Sequence, residues 1–129
     1  MAMLLYYNLH GEREAKIRLM AMRFAIALKP VRREEYGQTL GALCGLVPEN
    51  PAPDATEDFT DEMLVLAGFD QALLNEFLQA FRRAKLPPVR LKAMLTETNQ
   101  DWNSTELHRE IVREHEAMHA GQTAHTTQT

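Results

Sequence analysis

One cysteine, Cys44, stands in 129 residues, with only six glycines and six prolines. A lone thiol cannot close a disulfide within the chain and fits a reducing compartment, so a cytoplasmic location is expected. The low glycine and proline content excludes collagen-like and low-complexity chains, and no apolar run reaches the length of a membrane span. Cations are in short supply as well: 14 Lys and Arg face 18 Asp and Glu, a net charge of −4. Sequence-independent binding of nucleic acid needs clustered cations to displace counterions from phosphates, so nucleic acid is not an expected partner. The run MAMLLYYNLHGERE lacks the basic start of a signal peptide and is broken at Asn8 and His10. It reads as a strand, with neither a leader nor a membrane anchor expected.

What is present is the profile of a globular domain, 45% hydrophobic and 25% charged. At this length folding buries roughly two-thirds of the unfolded surface, enough for one core without metal or disulfide staples. A single domain over residues 1–119 is expected, followed by a polar, disordered tail at 120–129.

Met3 to Leu9 and Met63 to Phe69 are apolar on both faces of a period-two alternation, as strands covered by helices on both sides are. Leu28 to Arg33 contains Pro30, which cannot donate to a ladder and is pushed to an edge. Val89 to Thr96 has one face more polar than the other, which also suits an edge. Between these runs, Glu12 to about Ala25, Tyr36 to Leu46 and Gln71 to Lys85 carry apolar residues at helical spacing. Asp70 is placed to cap the third helix. Asn103 with Glu106 forms a capping-box pattern at the start of the last, with Trp102 and Leu107 as a hydrophobic staple.

Four strand-helix pairs predict an α/β fold: a single three-layer domain with about four helices around a four-stranded, mainly parallel sheet of order 2-1-3-4. This is half of a doubly wound fold, its switch point between strands one and three. An antiparallel fourth strand is the main alternative, because Pro87-Pro88 can reverse the chain. No internal repeat stands out. Val47 to Asp61, Pro-rich and acidic, reads as slack connection rather than a lid.

If the sheet is parallel, Asn8, His10, Asp70, Thr96, Thr98 and Asn99 emerge at the carboxyl ends of the strands, where open α/β sheets bind ligands. With Lys92 as an anion contact, they would offer amide, carboxylate and hydroxyl groups to a small polar ligand. The plainer reading gives Thr98 and Asn99 a turn to shape, Asp70 a helix to cap and Lys92 an edge strand to snorkel from.

His115-Glu116-Ala117-Met118-His119 is an HExxH string. Residues four apart lie one turn apart on a helix, so two imidazoles can reach one Zn²⁺ while the intervening Glu116 activates its water. His125 stands where an extended zinc motif places a third ligand, but Gly121 comes one position early and Gln122 fills its slot. His108 is seven residues before His115, roughly 10 Å along a helix, too far to share the ion. Imidazoles near a helix C-terminus also complement its dipole without any metal, and that reading is preferred. Gly37, Gly41 and Gly45 recur every four residues and give the second helix a smooth face for packing on the sheet or on a partner. Cys44 reads as a buried small hydrophobe.

MLLYYNL, GQTLGALCGL, EMLVLAGFD, LKAMLTETNQDW and ELHREIVREHEAM together resemble an uncharacterised bacterial family of small domains of unknown function, marked by the segment LKAxLTxTNxxW. The resemblance runs from about Met3 to Met118. It implies this strand-helix pattern and makes EHEAM the ordinary end of a last helix, but it brings no activity, cofactor or catalytic residue.

The leading expectation is a small cytoplasmic, non-catalytic module that binds a small polar ligand or a protein partner at the strand ends, without a cofactor. The alternatives are a zinc-binding protein or metal-dependent hydrolase using His115, Glu116 and His119, and a structural subunit of a homo- or hetero-oligomer.

Overall fold

A computed structural model describes residues 1–53 and 56–128 and, in the last helix, the side chains as far as Met118. The elements run β1 (Met3–Tyr7), α1 (Gly11–Arg23), β2 (Ala27–Pro30), a 3-10 turn (Arg33–Glu35), α2 (Leu40–Leu43), β3 (Met63–Ala67), α3 (Gln71–Arg83), β4 (Leu91–Met94), a second 3-10 turn (Asn99–Asp101) and α4 (Ser104–Gln128). The sheet has the expected order, β2-β1-β3-β4. Period-two alternation sends Leu4, Tyr6, Leu64 and Leu66 to one face, where they meet Ile17 and Ala21 of α1 and Phe77 and Phe81 of α3. Leu5, Tyr7, Met63 and Val65 point to the other, against Leu40 and Leu43 of α2 and Leu107 and Ile111 of α4. Strands buried on both faces leave β1 and β3 central, and the three layers follow.

Two of the three ladders are parallel, β1 with β2 and β3 with β4. The central one is not. β1 and β3 run antiparallel, Leu5 facing Val65. The direction change expected, if anywhere, at β4 thus falls in the middle of the sheet, and β4 follows β3. The Pro87-Pro88 segment belongs to an ordinary crossover through α3, whereas the long Val47–Asp61 connection carries the reversal. There is no doubly wound switch point: the carboxyl ends of β1 and β2 lie at one edge, and those of β3 and β4 at the opposite edge.

The caps predicted for α3 and α4 both form. The Asp70 carboxylate accepts from the Leu73 amide at 2.8 Å. Both arms of the capping box on α4 are made: Asn103 Oδ1 accepts from Glu106 N at 2.8 Å, and Glu106 Oε1 accepts from Asn103 N at 3.0 Å. Asn103→Ala is expected to lower stability by about 1 kcal/mol, seen as a lower urea midpoint with unchanged slope. The second helix is the main departure. Where Tyr36 to Leu46 was expected, a 3-10 turn precedes a single α-turn, which Thr39 caps by accepting from Ala42 N. Gly45 ends it at φ +78°, a conformation glycine adopts without strain. The three glycines therefore share no helix face. Gly41 meets a neighbour closely: a Cβ there would sit 3.3 Å from the Gln100 carbonyl oxygen.

Candidate functional site

The acidic connection is no slack loop. Gln38 brackets the backbone of Asn50, donating from Nε2 to its carbonyl at 2.7 Å and accepting its N–H at 2.8 Å. Further along, Thr105 Oγ1 donates to the Glu57 carbonyl at 2.8 Å. Asn8, held at φ +60° just past β1, donates from Nδ2 to the carbonyls of Phe59 and Asp61 at 3.0 and 2.9 Å. Asparagine is one of the few side-chain-bearing residues that tolerate this left-handed geometry.

These bonds drive Phe59 into the core, where it is 7% exposed. Its ring stacks on Tyr36 at 4.6 Å and on the His108 imidazole at 4.0 Å, the latter pair 4° from parallel. Below it, the Tyr7 hydroxyl shares a buried 2.7 Å hydrogen bond with Ser104, and burial pushes the Tyr7 phenol well above its ordinary range against the pull of that bond. His108 Nε2 meets the Asp61 carboxylate at 2.8 Å. A histidine-carboxylate pair can orient a general base, but the neighbouring α4 hydroxyls are engaged, Ser104 with Tyr7 and Thr105 with Glu57. The geometry is that of a strap across Tyr7 and Tyr36, closed by the pair.

Beside the strap, an open groove of about 1120 Å³ runs between the outer turns of α4, the residues before β3 and the Pro87-Pro88 turn. Leu86, Pro87, Leu91, Val112 and Met118 line its apolar part. Arg13 fastens one wall with a two-pronged ion pair to Glu62, at 2.7 and 2.9 Å, and donates to the carbonyls of Pro87 and Pro88. Arg90 and Glu116 also line the groove, and neither has an ion-pair partner among the described residues.

The antiparallel seam divides the expected strand-end site. Asn8 and His10 lie at the edge where β1 ends, beside the strap. Asp70, Thr96, Thr98 and Asn99 lie at the other. Asn99, 8% exposed, is engaged within its own turn there: Oδ1 accepts from Thr96 N at 2.8 Å, its backbone N–H donates to Thr96 Oγ1 at 3.1 Å, and Nδ2 donates to the Met94 carbonyl at 2.9 Å. Thr98 precedes the 3-10 turn without capping it. Lys92 turns back on its own strand to donate to the Val89 carbonyl at 2.7 Å, and burial lowers its pKa. The plain readings of Asp70 as a cap and Asn99 as a turn former account for their bonds, Lys92 folds back instead of snorkelling, and no six-membered cluster forms. Cys44 is half-buried at the margin of the core, and burial raises its thiol pKa.

Of the HExxH string, His115 and Glu116 face the groove. His119 and His125 fall outside the described side chains, as does the expected polar tail. Among the described residues, no group of three His, Cys, Asp or Glu side chains could hold a metal ion, and no helix is long and apolar enough to cross a membrane. Sequence reading missed Phe59, Asp61 and the groove itself. The one available signal was a lone aromatic amid the acidic connection, at DATEDFTD.

Residues 62–118 match the family described as a domain of unknown function (DUF3783). The match takes in LKAMLTETNQDW and EHEAM and leaves the first 61 residues outside it. No curated protein and no solved structure matches the chain.

Proposed function

We propose that the protein is a small cytoplasmic, non-catalytic interaction module that takes a partner's polypeptide segment in the groove under α4. The observation that carries this reading is a slot whose apolar stretch, Leu86, Pro87, Leu91, Val112 and Met118, lies beside two charges of opposite sign, Arg90 and Glu116, that have no ion-pair partner among the described residues. Such a slot suits a short apolar segment bracketed by one acidic and one basic residue, the apolar part supplying affinity and the charges its direction. Cys44 as the chain's lone thiol supports the cytoplasmic part of the reading.

Affinity selection of random peptides on immobilised full-length protein tests it. Segments of that pattern should be enriched, and their binding should fall at least tenfold in Arg90→Glu and in Val112→Asp while surviving Asp70→Ala and Lys92→Ala. Enrichment of nothing, or binding indifferent to both groove substitutions, would sink the reading. The proposal assigns no cofactor. Zinc retained by the full-length protein and lost in His115→Ala would replace it with a metal-binding one.

A further inference from the structure

The two halves of the sheet are built alike. β1 and β3 each have five residues, α1 and α3 thirteen, β2 and β4 four. From Met3 to Ile26 and from Met63 to Leu86 equivalent positions lie 60 apart, and beyond them, after the four extra residues Pro87 to Arg90, they lie 64 apart.

The correspondence reaches single bonds and torsions. Positive φ occurs at Asn8 and Gly68, one residue past each central strand, and at Ala25 and Lys85, two residues past each helix. The helix exits repeat: Ile26 N donates to Ala21 O as Leu86 N does to Phe81 O, and Ala25 N to Met22 O as Lys85 N does to Arg82 O. Val31 N reaches Tyr6 O as Leu95 N reaches Leu66 O. The Glu35 side chain accepts from Arg32 N where that of Asn99 accepts from Thr96 N, and Thr39 caps α2 where Asn103 caps α4.

The seam between the halves has the matching symmetry. In the β1-β3 ladder Met3 faces Ala67, Leu4 faces Leu66, Leu5 faces Val65, Tyr6 faces Leu64 and Tyr7 faces Met63. Each position is thus opposite the counterpart of its mirror position, centred on Leu5 and Val65. The caps Thr39 and Asn103, themselves counterparts, meet in an antiparallel bridge. A two-fold axis through the sheet produces both relations, as in an isologous dimer where residue i contacts j and j contacts i.

We infer that residues 3–46 are a second, diverged copy of the unit at 62–118, and that the β1-β3 seam is that unit's own dimer interface, carried within one chain. The partner this surface fits is another copy of the same unit. Only three of the 24 positions between 3–26 and 63–86 are identical, Met3/Met63, Leu4/Leu64 and Arg23/Arg83. That explains both a repeat invisible to composition and a family match confined to the second half. The copies differ most after their caps. α2 stops at Leu43, the counterpart of Leu107, whereas α4 continues and creates the groove.

The test begins with the whole chain carrying a protease site in the Val47–Asp61 connection. After cleavage, native mass spectrometry should show the two pieces still paired. After unfolding and joint refolding, it should show the unlike pair together with a like pair of two second-half pieces, Val65 facing Val65. In the uncut chain, deleting Val47 to Pro53 should shift the protein from monomer to a dimer in which halves are exchanged between chains. Unlike pairs alone after refolding, with a monomeric shortened chain, would overturn the inference. So would pieces that never re-pair. Neither result bears on peptide capture by the groove, which is read on the intact, uncut chain.

Discussion

Phe59→Ala is expected to destabilise the protein by about 3–5 kcal/mol, the range for emptying an aromatic position in a core. With a typical total stability of roughly 5–15 kcal/mol, a variant of this kind stands near unfolding. Two stacked contacts go with the ring, to Tyr36 and to His108. The strap then keeps only its polar fastenings, to Gln38, Thr105, Asn8 and His108. The effect exceeds that of losing His108 alone, because the Asp61 end of the pair is largely exposed and an exposed ion pair contributes little. Urea denaturation with near-ultraviolet circular dichroism reports both parts of the expectation: a midpoint lowered to match, and loss of the tyrosine signal from Tyr7 and Tyr36 before global unfolding. Phe59→Leu, which refills part of the volume, should recover about half of the loss. A Phe59→Ala protein within about 1 kcal/mol of the parent would show the strap to be decoration.

Asn99→Ala is the second large effect. The substitution strips partners from the Thr96 amide and the Met94 carbonyl at a position that is 8% exposed. Leaving buried polar groups unpaired costs about 1–3 kcal/mol each, so a loss of about 2–4 kcal/mol is expected after partial rescue by water. The same experiment separates the two roles considered for this residue. A structural plug lowers stability and leaves partner binding at the groove unchanged once the protein is folded. A ligand contact would do the reverse, and thermal melting beside peptide affinity distinguishes them in one preparation.

The layer structure and strand order were legible because they follow from which runs are apolar on both faces. Met3 to Tyr7 and Met63 to Ala67 have that property, and Pro30 and Lys92 mark the edges. The direction of β3 relative to β1 was not legible. Side-chain alternation is the same for a strand read in either direction, and the only local hint, the length of the Val47–Asp61 connection, fits a lid, a tether or a crossover equally well. The expected strand-end grouping was divided with it, since its residues converge only when all the carboxyl ends share an edge. The second helix failed for a different reason: apolar spacing at Tyr36, Leu40 and Leu43 matched a helix, but the Thr39 cap and Gly45 stop within it confine the α-turn to four residues. The caps at Asp70 and Asn103 were readable because a capping side chain bonds within three residues of itself, whereas the strap joins positions some fifty residues apart.

The sheet edges carry a consequence for the cell. β2 stops at Pro30, which has no N–H to offer, and at β4 the Met94 carbonyl is taken by Asn99 while Lys92 folds back over the strand's start. Short strands with such features recruit no further strands. The inner strands have no protection of this kind, because each is the other's cover. A half released alone would present Met63–Ala67, five apolar residues, as an open template for aggregation. Tethering the halves makes their encounter intramolecular, at an effective concentration set by the connection rather than by expression level. The dangerous edge then closes on its intended partner before a stranger can reach it, which gives the connection between the halves a protective role during synthesis that is separate from any role in binding.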